Sequence, residues 1–172
     1  MGLNPKRCVV KLVIFGEQVA EDVTIRAVLR TDYSQWRALW EGYNEFYGRS
    51  GSTALPEEIT QMTWARFFDA YEPVHALVAE QEDKLVGLVH YLFHRTTLSI
   101  APTCYLHDLF TVPSLRGKGV GQKLIHAVYG QAKLAGSTRV YWLTHETNST
   151  ARKLYDRVAD LSGFIVYRKS ME

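Results

Sequence analysis

Arg116-Gly117-Lys118-Gly119-Val120-Gly121 is the stretch that decides the reading of this chain. It follows an apolar run at residues 104–112 and opens a helical pattern at 120–135. Alternate glycines let the backbone turn tightly and approach a ligand closely. The helix start behind them offers unpaired N–H groups and the positive end of a dipole, which suits a pyrophosphate. Two other phosphate loops are excluded by spacing. A P-loop requires Lys-Ser or Lys-Thr after its last glycine, whereas Gln122-Lys123 follows Gly121. A dinucleotide fingerprint requires G-x-G-x-x-G with an acid about 20 residues on. Here the spacing is G-x-G-x-G, and the next acid is Glu146. On its own the loop also reads, with less weight, as a tight turn made for packing.

Charge points to the ligand. No acid lies between Asp108 and Glu146, while Arg116, Lys118, Lys123, Lys133 and Arg139 do, with His126 and His145. Such a local positive field favours a multiply phosphorylated ligand. The formal net charge of +2 conceals this. Residues 1–108 hold 14 acids and 10 bases, giving −4; residues 109–172 hold 4 acids and 10 bases, giving +6. As a total, +2 excludes an obvious nucleic-acid or membrane polycation.

Working outward, the hydrophobic periods alternate between strand and helix. Residues 23–29 (VTIRAVL) read as a strand. Trp36, Leu39, Trp40, Tyr43, Phe46 and Tyr47 recur at helical spacing. Pro56-Glu57-Glu58 opens a second helix. Residues 75–81 and 84–94 form a hairpin across Glu82-Asp83. Residues 104–112, 139–144 and 163–167 are further strands; 120–135 and 149–158 are helices. The fold class is therefore α/β (α+β), with a mixed, mostly antiparallel central sheet flanked by helices. With 172 residues and 47% apolar composition, the chain suits one globular domain, residues 23–172. Residues 1–22 read as an extension, with a candidate extra strand at 8–15. Two cysteines, Cys8 and Cys104, form no disulfide framework, so a reducing, cytoplasmic location is expected. No apolar run spans a bilayer, and no convincing signal peptide is present.

A resemblance to a family rests on two segments. Arg116 to Gly121 is similar to the R/Q-x-x-G-x-G/A signature of the GCN5-related N-acetyltransferases (GNAT). Asn148-Ser149-Thr150-Ala151-Arg152-Lys153-Leu154-Tyr155 resembles that family's N-x-x-A-x-x-L-Y segment. Their separation and the intervening helix and strand also match, and the likeness extends from Val23 to Arg168. The runs YLHDLFTVPSLRGKG and VYWLTHETN look closest to the polyamine and yeast histone/polyamine-type branch.

The resemblance implies acetyl-CoA as co-substrate, bound in a V-shaped split between the strands at 104–112 and 139–144. Pantetheine would pair with the backbone of Leu109, Phe110 and Thr111. The pyrophosphate would rest on the amides of Gly117, Lys118, Gly119, Val120, Gly121 and Gln122. Lys118 or Lys123 would approach the phosphates, and Arg116 belongs to the turn's scaffold. Asn148 suits a helix N-cap by residue type; the resemblance adds a pantetheine contact. Tyr155 would be the acid for the departing thiolate, since a phenol of pKa near 10 stays protonated at neutral pH. By periodicity alone it is a packed aromatic. A base must accept a proton from the attacking amine. His107 and Asp108 are the candidates, where polyamine acetyltransferases carry Glu-Asp. Strand alternation sends these two to opposite faces unless a bulge intervenes. Cys104 falls on the face opposite His107, which disfavours a thiol nucleophile. The histidines show no metal-ligand spacing, so no metal is expected.

Residues 32–72 carry seven acids against three arginines, and an acidic rim attracts a cationic amine such as a polyamine or lysine side chain. One or two of Trp40, Tyr43 and Tyr47 would line the acceptor pocket. The leading reading is direct acetyl transfer to a primary amine in a ternary complex. The alternatives are a non-catalytic acyl-CoA-binding module and an unrelated nucleotide-phosphate binder. A homodimer is left open, with residues 8–15 or 163–167 as pairing edges.

Overall fold

The computed structural model describes residues 22–171. Five strands form one sheet in chain order: β1 (Thr24–Ala27), β2 (Val74–Gln81), β3 (Lys84–Thr96), β4 (Ser99–Thr111) and β5 (Val140–Tyr141). The first four pair antiparallel, and β5 lies parallel to β4. The helices are α1 (Tyr33–Phe46), α2 (Glu57–Arg66), α3 (Val120–Leu134) and α4 (Ser149–Val158). The mixed, mostly antiparallel sheet read from the sequence is the observed one. The β2–β3 turn places Glu82 at φ 49° and Asp83 at φ 60°. A two-residue hairpin needs that left-handed pair, and short acidic residues tolerate it.

Each face of the sheet buries one helical stripe. On one side Val120, Leu124, Ile125, Val128 and Ala132 of α3 pack with Leu77, Val89, Tyr91, Cys104 and Leu106. On the other, Trp36, Leu39, Trp40 and Tyr43 of α1 pack with Val78, Leu88 and Phe110. Burying one such large side chain contributes about 1.5–3 kcal/mol, so the two stripes dominate the packing energy.

One irregularity sets up the site. His90 pairs with Asp108, but the next pair is Tyr91 with Leu106, so His107 is an extra residue in β4. This β-bulge switches the strand's facing. Cys104 and Leu106 belong to the α3 side, Phe110 to the α1 side. A regular strand would have put all three on one face.

Beyond the bulge, β4 and β5 part. They pair only at Cys104 with Val140 and Tyr105 with Tyr141. β4 continues to Thr111 with no strand on that side among the described residues. The strand expected at 139–144 is thus two residues long, because the chain leaves the ladder to open the split.

The strand expected at 163–167 is not formed. A strand needs a neighbouring edge for its N–H and C=O groups. Residues 159–171 pair with none among the described residues, and Phe164 and Tyr167 are each 90% exposed. The candidate strand at 8–15 lies outside the described residues.

Candidate active site

The glycine loop takes the conformation its composition requires. Gly117 lies at φ 75° and Gly119 at φ 84°, in the left-handed region that disfavours a side chain. Gly119 is the N-cap of α3, and its carbonyl accepts from the amide of Lys123 at 3.0 Å. The first-turn amides of Val120, Gly121 and Gln122 have no intrahelical acceptors. Val120 is buried, its side chain packed into the core on the α3 side. A Cβ on Gly121 would meet Leu154 at 3.4 Å and Thr111 at 3.9 Å, which brings α4 and β4 together beside the loop. Arg116 donates from Nε to the Thr111 carbonyl at 3.3 Å and lies over the rings of Phe46 and Phe110. It therefore braces the turn. Of the two candidate lysines, Lys123 donates to the Val23 carbonyl at 3.2 Å, and Lys118 is exposed. Leu109, Phe110 and Thr111 pair with Val89, Leu88 and Gly87 on the β3 side only, so their other edge borders the split.

Across the split, Asn148 caps α4, accepting from the Ala151 amide at 3.3 Å. Its Nδ2 donates to the Thr144 hydroxyl at 3.3 Å, tying the cap to the departing β5 chain. Tyr155, two turns on, packs edge-on against Trp142 at 5.3 Å. Burial, then the nearby Tyr47 phenol, push its pKa up to about 12. The hydroxyl is a firmly protonated donor.

The bulge gathers a polar cluster on the α1 side. Trp36 Nε1 donates to His90 Nε2 at 3.0 Å, and His90 Nδ1 lies 2.9 Å from Asp108 Oδ2. An indole N–H can only donate, so His90 Nε2 is the acceptor and Nδ1 carries the hydrogen. The tautomer follows, and His90 donates to the Asp108 carboxylate. The Tyr43 hydroxyl interacts with the same carboxylate. Burial alone would push the Asp108 carboxyl up, but the His90 hydrogen bond, helped by His107 and Tyr43, holds it below its ordinary value. His107, exposed and lying against the Tyr105 ring, has Nδ1 at 3.9 Å from Asp108 Oδ2. The expected choice between His107 and Asp108 is dissolved by the bulge, which places both at one spot. Cys104 is fully buried on the other face, and burial pushes its thiol up to about 11.

Residues 36–159 match the Acetyltransferase (GNAT) family. The chain belongs to that family. It is 31% identical to a D-amino-acid N-acetyltransferase of Saccharomyces cerevisiae over 156 residues, covering 90% of this chain and 94% of that one. An uncharacterized N-acetyltransferase of Bacillus subtilis is 28% identical over 147 residues, 84% and 95% of the two chains. The fold is shared with the aminoglycoside N-acetyltransferase AAC(6')-Iy in complex with a CoA bisubstrate analog, at TM-score 0.73, 17% identity, and coverage of 87% and 98%. The protein is accordingly an acetyl-CoA-dependent N-acetyltransferase.

Part of the acidic rim expected over residues 32–72 is paired with arginines. Arg37 pairs with Glu41 at 2.9 Å and Glu57 at 2.7 Å, Arg66 with Glu72 at 3.3 Å, and Arg26 with Asp32 at 2.6 Å. Four of the seven acids are thereby paired, two of them with the one Arg37. The wall nearest Asp108 is aromatic, built from Tyr43 and Tyr47, with Arg49 over both rings. The residue that sequence reasoning missed is His90. His94, four residues on in the same strand, contacts the Tyr141 hydroxyl at 3.0 Å. A lone histidine within the apolar run VGLVHYLF was the available signal, because a buried imidazole requires partners. Among the described residues no group of three His, Cys, Asp or Glu is placed to hold a metal. No helix there is long and apolar enough to cross a membrane.

Proposed function

We propose that this acetyltransferase moves the acetyl group of acetyl-CoA to the primary amine of a small acceptor, an amino acid in particular, by direct attack in a ternary complex. The observation that carries the reading is the split between β4 and β5, with the open edge of Leu109–Thr111 and the Gly117–Gly121 turn on one side and the capped α4 that bears Tyr155 on the other. Pantetheine runs along Leu109–Thr111, and the pyrophosphate sits on the amides of residues 117–122. Asp108 is a poor proton acceptor, because its ionised form already receives the His90 hydrogen bond. The base is then His107, whose Nδ1 lies 3.9 Å from that carboxylate. The neutral amine attacks the thioester carbonyl, a C–N bond forms, and the C–S bond breaks. His107 takes the amine's proton, directly or through water, and Tyr155 gives its proton to the sulfur. Solvent exchange restores both groups. The buried, protonated Cys104 offers no nucleophile for a covalent intermediate.

An amino-acid acceptor is supported by the yeast relative's named activity and by the single basic side chain over the tyrosine wall. The polyamine or lysine-like acceptor has weaker support, since most acids expected to attract it face arginines. Thiol release from acetyl-CoA, with product mass, across amino acids, polyamines and aminoglycosides tests the reading. Turnover with amino acids is expected. Tight CoA binding without release to any amine would instead mark a binding module.

A further inference from the structure

Arg49 differs from three other arginines of this half of the chain. Arg26, Arg37 and Arg66 each meet a carboxylate. Arg49 meets none among the described residues; its Nε donates to the neutral amide oxygen of Asn44 at 2.7 Å. Asn44 is buried and locked in turn, its Nδ2 donating to the Trp40 carbonyl at 2.8 Å. The guanidinium carbon lies 5.6 Å from the Tyr43 ring centroid and 5.3 Å from that of Tyr47. The head group is therefore pre-positioned through one nitrogen and stacked over two rings, with its remaining N–H donors left for a ligand. Tyr43 also reaches Asp108 with its hydroxyl. A single tyrosine side chain thus separates the cation from the Asp108–His107 pair.

We infer that Arg49 is the carboxylate-binding residue for the acceptor, so that an amino acid lies with its carboxylate on the Arg49 guanidinium and its amine at His107. The inference rests on the amino-acid reading above and adds the residue that selects for it. A guanidinium matches a carboxylate in shape and charge, and a half-buried, pre-oriented one loses little entropy on binding. A polyamine has nothing to offer this cation and is repelled by it. The aromatic wall supplies an apolar surface for the acceptor's side chain.

The test compares wild type with Arg49→Gln on alanine, phenylalanine and methionine of both hands, each against its carboxamide. The quantity read is the ratio of kcat/KM for acid over amide, and its change between enzymes cancels the intrinsic difference in amine basicity. Losing a charge-assisted contact should lower that ratio about 10- to 100-fold in Arg49→Gln. Carboxamide turnover should fall less than that of the acid, and the KM for acetyl-CoA should hold. Arg49→Lys, which keeps the charge and loses the fork, should give a smaller drop and keeps the comparison decisive if the glutamine variant folds poorly. An unchanged ratio would overturn the assignment. Equal loss on acid and amide would mean that Arg49 only braces Asn44, and a raised acetyl-CoA KM alone would give it to the cofactor. Wild type that acetylates polyamines or aminoglycosides but no amino acid would instead sink the amino-acid reading, and this inference with it.

Discussion

Replacing His90 with phenylalanine probes the buried relay behind the base. The side chain is 2% exposed, donates to Asp108 at 2.9 Å and accepts from Trp36 at 3.0 Å. Phenylalanine fills similar space and makes neither bond. Trp36, wholly buried, is left with an unpaired N–H, which costs about 1–3 kcal/mol. Asp108 loses a hydrogen bond to a charged group, about 1.5–3 kcal/mol. The sum, about 2.5–6 kcal/mol, is a large part of the roughly 5–15 kcal/mol that holds a domain together. Urea unfolding at pH 7 measures it. Acid supplies a second reading. The Asp108 carboxyl is held below its ordinary value of 3.8 in the folded protein, so its contribution is present above that pH and lost as pH falls through the folded value. The gap between wild type and His90→Phe should therefore narrow in acid to the Trp36 part alone. Adding Asp108→Leu to His90→Phe should recover stability, because both ends of the buried bond are then apolar. A variant within about 1 kcal/mol of wild type at pH 7, or a gap that widens in acid, would refute the relay.

Other outcomes follow from single sites. Tyr155→Phe should lower kcat by about 10²–10⁴ with acetyl-CoA affinity little changed, measured by thiol release and calorimetry. Because the phenol is pushed up to about 12, no alkaline loss of rate below that pH should trace to Tyr155. Gly119→Ala meets no atom within 4 Å but is forced to φ 84°, and should cost about 1–2 kcal/mol in urea unfolding. Gly87→Ala fails for the opposite reason: its Cβ would sit 2.9 Å from the Phe110 carbonyl and 3.1 Å from Leu124, costing about 1–3 kcal/mol by the same assay. Asn148→Ala removes the α4 cap and should cost about 1 kcal/mol of stability.

What the sequence made legible was local. The glycine turn, the Asn148 cap and both helical stripes are written in neighbouring residues, and each is observed where its pattern lies. What it hid depends on partners distant along the chain. His107 and Asp108 alternate by parity, and only the pairing of β3 with β4 reveals the extra residue that brings them together. His90 meets Trp36 and Asp108 across separations of 54 and 18 residues, which no periodicity encodes. The acids of residues 32–72 suggested an anionic rim, yet four of the seven pair with arginines, as Glu57 does with Arg37 from 20 residues away. The segment at 163–167 alternates like a strand, but a strand is made by its neighbour as much as by its own residues.

The central claim is that acetyl-CoA lies in the split with its sulfur on Tyr155. A crystal structure with CoA bound tests it directly. The pyrophosphate should lie on the amides of residues 117–122, pantetheine against the open edge of Leu109–Thr111, and the thiol within about 3–3.5 Å of the Tyr155 hydroxyl. A cofactor seated elsewhere, or a Tyr155 hydroxyl turned away and serving only to pack Trp142, would contradict it.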